Sequence, residues 1–205
     1  MTDGVGSIRP GGRTARTAAA VAAAVQAELL EVGYGGTTID RIAKRAGVAK
    51  TTVYRRWGSV SGLVVDMFAQ AAGVQIPVAD TGSLEGDLRE LARSSVALLR
   101  NAANRAIIDI VVSEAVHDPS AREALTTFFA DRIENAAVIV RRAVERGEVP
   151  PGTDAGEVIR LVGAPYYARL YITGDPIDLE VADRGAAVVA LAARSGLLVT
   201  GRPDA

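Results

Sequence analysis

The chain contains no cysteine and a single histidine, His117, in 205 residues. Neither a disulfide nor a thiolate metal site can be built from it, and one imidazole leaves little for metal ligation or acid–base work. No metal and no cofactor are expected. Aromatic residues are few, 4% of the chain, yet 49% of residues are apolar, which suits a packed helical protein and not a disordered one. No apolar run reaches the length that spans a bilayer. Strand-length alternation is also missing, so the expected fold is all-α. Carboxylates at helical spacing do occur, Asp131 with Glu134 and Glu114 near His117. They read as surface positions, because no nucleophile or glycine-rich phosphate loop accompanies them, and an enzyme is not expected.

Lysine is nearly absent as well: the chain has two, Lys44 and Lys50, six residues apart. The overall charge of −1 would argue against a nucleic-acid partner, but its distribution does not. Residues 1–60 carry nine basic and four acidic side chains, a net +5, and residues 61–205 carry 14 basic and 20 acidic, a net −6. A cationic head on an anionic body favours docking to DNA through the head alone.

The stretch from Thr37 to Trp57, TTIDRIAKRAGVAKTTVYRRW, lies in that head. Thr37 is a good N-cap, with Asp40 three positions on as a weak capping-box partner, and Ile39, Ile42, Ala43 and Ala46 recur on one helical face. Gly47 supplies the left-handed conformation that ends a helix, and Val48 follows as an apolar plug. A second helix begins near Ala49. Ala49, Val53 and Trp57 lie four apart and are expected in the core, whereas Lys50 with Tyr54 and Thr51 with Arg55 pair on the opposite side, flanked by Thr52 and Arg56. That side offers an ammonium, a guanidinium, a phenol and two hydroxyls, which are donors for base edges and phosphates. The pattern is a helix-turn-helix.

The longer string GYGGTTIDRIAKRAGVAKTTVYRRW, with the amphipathic helix before it, resembles the N-terminal domain of the TetR family of transcriptional regulators. The resemblance implies a three-helix DNA-binding domain, residues 1–60 with an arm over 1–15, and a larger helical domain, residues 61–205, that binds an effector and dimerises. It implies that Lys50, Thr51 and Arg55 read bases and that Thr38, Thr52 and Tyr54 hold phosphates. Lys44 and Arg45 complete the expected DNA-binding set, and Arg9, Arg13 and Arg16 form a possible DNA-contacting arm. A lysine that usually opens the fourth helix is replaced here by Val60, leaving Ser59 and Ser61 as substitutes. The implied partners are a palindromic double-stranded operator, a small-molecule effector and a second copy of the chain, with repression the commonest mode. A cytoplasmic location follows. Two alternatives stand beside this reading: three arginines followed by AAAVAAAV resemble the start of a secretory signal, and the head could serve a DNA-organising protein without sequence preference.

Beyond the head, helices are expected over 61–73, 84–101, 103–117, 120–148, 154–172 and 179–197. Their separators are Asp118-Pro119, Pro150-Pro151-Gly152 and Gly174-Asp175-Pro176. Ala186, Val189, Ala190, Ala193 and Leu197 form a small-residue seam which, with Val158, Leu161, Val162 and Leu170, could make half of a four-helix dimer interface or face the chain's own core. Pro165 should kink its helix, and Tyr166, Tyr167 and Tyr171 cluster behind it. Tyr166, Tyr167 and Arg169, with Ile108, Val111 and Phe128, are the candidate effector pocket, or ordinary core. The string GAPYYARL over 163–170 also resembles one C-terminal branch of the same family.

Overall fold

The computed structural model describes residues 11–71 and 78–200, apart from the side chains of residues 11–13, 68–71 and 103. The described residues are helical throughout, joined by short turns, with one isolated antiparallel bridge between Thr153 and Val199. None of their helices is long and apolar enough to cross a membrane.

Helix α1 (Gly11–Gly36) buries Val21, Val25 and Leu29, the stripe that the helical spacing predicts. Val32, almost one turn after Leu29, is exposed. Gly33 leaves helical geometry at φ 71° and ψ 179°, the chain turns there, and Tyr34 takes the interior place instead. The Tyr34 hydroxyl lies 3.1 Å from the Ser120 hydroxyl. Helices α2 (Ile39–Ala46) and α3 (Lys50–Trp57) follow, then α4 (Val60–Ala71).

The cap of α2 is Thr38, not Thr37: its hydroxyl accepts from the Arg41 amide. Thr37 is buried one residue earlier and donates to the Gly33 carbonyl at 2.7 Å, so it closes the preceding turn. Gly47, at φ 66° and ψ 33°, ends α2 in the left-handed region, and the Val48 amide then donates to the Ala43 carbonyl at 3.0 Å. A β-carbon is disfavoured in that conformation, which is why glycine stands at the turn.

Helix α5 (Leu84–Arg100) starts at Ser83, whose hydroxyl accepts from the Gly86 amide. Buried Asp87 accepts from the Thr81 amide and hydroxyl and so ties down the preceding loop, and Glu148 accepts from the Leu84 amide at 2.8 Å, meeting one orphan donor of this helix start. Helix α6 (Ala102–Glu114) precedes the Asp118-Pro119 stop. The single helix expected over 120–148 is two, α7 (Pro119–Ala136) and α8 (Val138–Glu145). Ala137 between them keeps right-handed helical backbone, so the break is local. Helix α9 (Ala155–Ala168) runs through Pro165 and widens into a π-helical turn, Arg169–Thr173, closed by Gly174 donating to the Arg169 carbonyl. Helix α10 (Leu179–Arg194) completes the order.

Two compact units result, and their division does not follow one cut near residue 60. The first unit takes the described residues up to Ala71 together with Ile107–Leu125, and the second takes the others. In the first, α1 packs on α2 and α4, and α3 on both α2 and α4. In the second, α5 packs against α8, α9 and α10. Arg93 of α5 grips Asp183 of α10 with two hydrogen bonds of 2.7 Å.

The small-residue seam belongs to this second core. Ala186, Val189, Ala190 and Ala193, with Val158 and Val162, are buried among the chain's own helices, so they are not available to a second copy. Small side chains on α10 let α5 and α9 approach closely, which is the physical reason for the stripe. Leu161 and Leu170 are half-buried, and Leu197 is exposed beyond the end of α10. The large apolar residues that α10 turns outward are Leu179, Val188 and Leu191, 50%, 61% and 68% exposed.

Candidate nucleic-acid interface

The α2–α3 unit is held from behind by its apolar face. Ile39, Ile42 and Ala43 of α2 and Val53 of α3 are buried, and Trp57 is half-buried, its indole N–H donating to Asp66 of α4 at 2.7 Å. Ala49, expected in the core, is exposed. It lies before the first helical residue with extended backbone (φ −66°, ψ 135°), so its side chain is not in phase with Val53. Lys50, Thr51, Tyr54 and Arg55 are exposed together on the opposite side and Thr52 is half-buried, as the four-residue spacing predicts.

The cations on this surface fall into two sets. Arg41 and Arg45 donate through their Nε atoms to the two carboxylate oxygens of Glu28, at 2.5 and 2.6 Å, and Arg45 also pairs with Glu31. Glu28 is only 2% exposed, although an ionised carboxylate ordinarily faces solvent. The Arg41 hydrogen bond, ahead of the opposing effect of burial, holds its carboxyl below the usual range. Arg45 therefore ties α2 onto α1 through these carboxylates. Nothing in the sequence flags this pair, whose members stand 17 residues apart.

Lys50 belongs to neither extreme. Its ammonium is 2.6 Å from an Asp40 oxygen and 5.6 Å from the centre of the Tyr54 ring, and the Asp40 hydrogen bond raises its pKa. Lys44 and Arg55 are exposed with no carboxylate partner among the described residues. Arg56 stacks on Trp57 at 4.8 Å. Thr38 caps α2 as an acceptor, which leaves its hydroxyl proton able to donate outward. Ser59 caps the start of α4 by accepting from the Gly62 amide and lies 2.8 Å from the Ser61 hydroxyl. Ser61 is buried and cannot replace the lysine absent at Val60. Arg16 is exposed on α1, while Arg9 and the side chain of Arg13 lie outside the described residues.

The candidate effector residues divide between the units. Ile108 and Val111 are buried in the first, and Phe128, Tyr166, Tyr167 and Arg169 belong to the second. Arg169 donates to the Pro176 carbonyl at 3.0 Å, so its guanidinium fastens the loop after the π-helical turn. The charged side chains that stand with the aromatic residues are instead Arg132, over the Phe128 ring at 5.4 Å, and Arg105, over the Tyr171 ring at 5.3 Å. Among the described residues no group of three or more His, Asp or Glu side chains could hold a metal ion.

Two family models match the chain. "Bacterial regulatory proteins, tetR family" covers residues 19–67, and "Tetracyclin repressor-like, C-terminal domain" covers residues 78–189. The HTH-type transcriptional regulator YdeS of Bacillus subtilis (strain 168) is 31% identical over 150 residues, 73% of this chain and 76% of that protein. A DNA-binding transcriptional repressor TetR from Mycobacteroides abscessus is 30% identical over 168 residues, 80% of this chain and 85% of that one. Among solved structures, the TetR family transcription regulator SCO0332 superposes with a TM-score of 0.71 at 27% identity, covering 85% of this chain and 97% of its own. Helix-turn-helix, helical body and relatives agree, and the chain belongs to the TetR family of DNA-binding transcriptional regulators, which is not an enzyme family.

Proposed function

We propose that the protein acts as a homodimeric repressor that binds a palindromic operator and is released by a small molecule. The observation that carries the DNA part is the exposed face of α3, where Lys50, Thr51, Tyr54 and Arg55 stand together over a buried Val53. In this reading Lys50, Thr51 and Arg55 reach base edges, and Thr38, Lys44, Thr52 and Tyr54 hold the backbone on either side. Arg41 and Arg45 act from behind by fixing α2. The relative from Mycobacteroides abscessus is named a repressor, which favours that sign of regulation.

One recognition helix reads only a few base pairs, and a dyad doubles the site. The outward Val188 and Leu191 of α10 are a surface that a second copy would cover, since large exposed apolar side chains at helical spacing mark interaction sites. Release requires the small molecule to prefer one arrangement of the dimer over the other, because tight binding without preference shifts nothing. The aromatic cluster of the second unit, with Phe128, Tyr166 and Tyr167, is the proposed effector site.

Electrophoretic retardation with DNA from upstream of the protein's own gene tests this function. A specific complex should form that weakens steeply with salt, by ~10³–10⁵ in affinity between 50 and 200 mM for six to ten neutralised phosphates. Equal retardation of random DNA would favour a DNA-organising role instead.

A further inference from the structure

In the second unit, aromatic rings form a row with a guanidinium at each end. Arg132 lies over Phe128 at 5.4 Å, Phe128 meets Phe129 edge-on at 5.2 Å, and Phe129 meets Tyr167 at 5.3 Å and 88°. Tyr167 stacks on Tyr171 with the planes 7° apart, and Arg105 lies over Tyr171 at 5.3 Å. Helical spacing builds this row: Arg132 follows Phe128 by one turn on α7, and Tyr171 follows Tyr167 by one turn where α9 opens into the π-helical turn.

Hydrogen-bond donors accumulate beside the row without an acceptor. Tyr166 is 1% exposed, and its hydroxyl has no hydrogen-bond partner among the described residues. Asp183, whose charge reaches that hydroxyl, is held by Arg93 through both of its oxygens. Arg132 is half-buried, and among the described residues it has aromatic and phenolic neighbours but no carboxylate. Burial holds the Arg132 guanidinium below the ordinary arginine range and pushes the Tyr166 and Tyr167 phenols up to about 12. A desolvated cation and a buried phenol O–H are costly unless an acceptor meets them, and a carboxylate is the acceptor that suits both.

We infer that the Arg132, Tyr166 and Tyr167 cluster is a site for an organic anion with a flat aromatic body, its carboxylate on the Arg132 guanidinium and its ring against the Phe129 and Tyr167 edges. The inference rests on the reading of this cluster as the effector site and adds the charge and shape of what binds there. Aromatic faces and edges favour a planar partner, and the guanidinium fork matches two carboxylate oxygens.

Titration calorimetry on the full chain with sodium 2-naphthoate, 2-naphthamide and inorganic phosphate tests it. Naphthoate should bind saturably, the amide ~10-fold or more weakly, because a charge-assisted hydrogen bond is lost, and phosphate not at all. Arg132→Gln should weaken naphthoate by a similar factor, Arg132→Lys should restore part of the affinity, and Tyr166→Phe should weaken it several-fold while leaving the far-UV circular dichroism unchanged. Equal binding of naphthoate and naphthamide, or unchanged naphthoate affinity in folded Arg132→Gln and Tyr166→Phe variants, would overturn the site, as would no binding of naphthoate at millimolar concentration. A retardation assay separates this from the release reading. Naphthoate that binds through Arg132 and leaves the operator complex intact keeps the site and refutes release. Release by a neutral compound that is insensitive to Arg132→Gln keeps release and refutes the anion site.

Discussion

Asp40 and Lys50 meet across the Gly47 turn, the ammonium 2.6 Å from one carboxylate oxygen and 2.8 Å from the other. Both side chains are more than half exposed, 63% and 52%, so the pair contributes little to folding. Its consequence concerns DNA. A carboxylate on the face proposed to meet phosphates repels them, and it holds back the lysine proposed to read a base.

Asp40→Asn removes that restraint. Affinity for random DNA should rise several-fold, and the slope of log affinity against log salt should steepen by ~1, because one more cation is free to displace a counterion. Fluorescence anisotropy with random and operator duplexes at several salt concentrations measures both, and an unchanged random-DNA affinity would show that Asp40 does not restrain Lys50 from DNA. The sign of the Lys50 shift sets the pH range. A lysine whose pKa is raised in the folded state keeps that contribution below its ordinary value of 10.5 and loses it only as pH rises through the raised one, so the pair persists at neutral pH.

Glu28 is the reverse case, a buried carboxylate serving two guanidiniums. Glu28→Gln should lower stability by about 1–3 kcal/mol, the range for losing hydrogen bonds to a charged group, tempered by the solvent exposure of Arg41 and Arg45. A carboxylate with a lowered folded pKa stabilises above its unfolded value of 4.5, and the contribution fades as pH falls through the folded pKa. Thermal unfolding followed from neutral pH down into acid should therefore show wild type and Glu28→Gln converging below that value. A constant difference in melting temperature across the whole range contradicts the clamp.

Much of the first unit was legible because it is short-range. Ile39, Ile42, Ala43 and Val53 are spaced by helical turns, and Gly47 marks the break, so a linear reading recovers the motif and its exposed face. Glu28 was not legible. Its helical phase places it at the edge of the apolar stripe, and only folding brings Arg41 and Arg45 to it. Thr37 and Thr38 are adjacent hydroxyls of equal capping ability, and the turn at Gly33 decides which one caps. The seam of α10 was correctly seen as small-residue packing, but periodicity cannot say whether the helix that approaches comes from the same chain, as here, or from another.

The division of the cations yields a split between stability and recognition. Lys50→Ala and Arg55→Ala should lower operator affinity far more than random-DNA affinity, with melting temperatures close to wild type. Tyr54→Phe should weaken both kinds of DNA. Arg45→Ala should lower the melting temperature, since its partners are Glu28 and Glu31. Parallel unfolding and anisotropy titrations separate the classes. Equal losses on random and operator DNA from Lys50→Ala would sink the base-reading assignment.

The dimer proposal makes a demand on α10. Val188→Glu puts a charge on an outward apolar position and should shift the sedimentation coefficient to that of a monomer at micromolar protein, whereas Val189→Ala, at a buried position, should mainly reduce stability by about 1–3 kcal/mol. A dimer that survives Val188→Glu places the interface elsewhere.

The most direct test of the whole account is a footprint across the DNA upstream of the protein's own gene, with wild type and Arg55→Ala side by side. One protected, two-fold symmetric site is expected, with half-sites about one helical turn apart or a multiple of it, ~34–36 Å per turn, that disappears with Arg55→Ala. Uniform coating of the DNA by both proteins, with no bounded site, would contradict it.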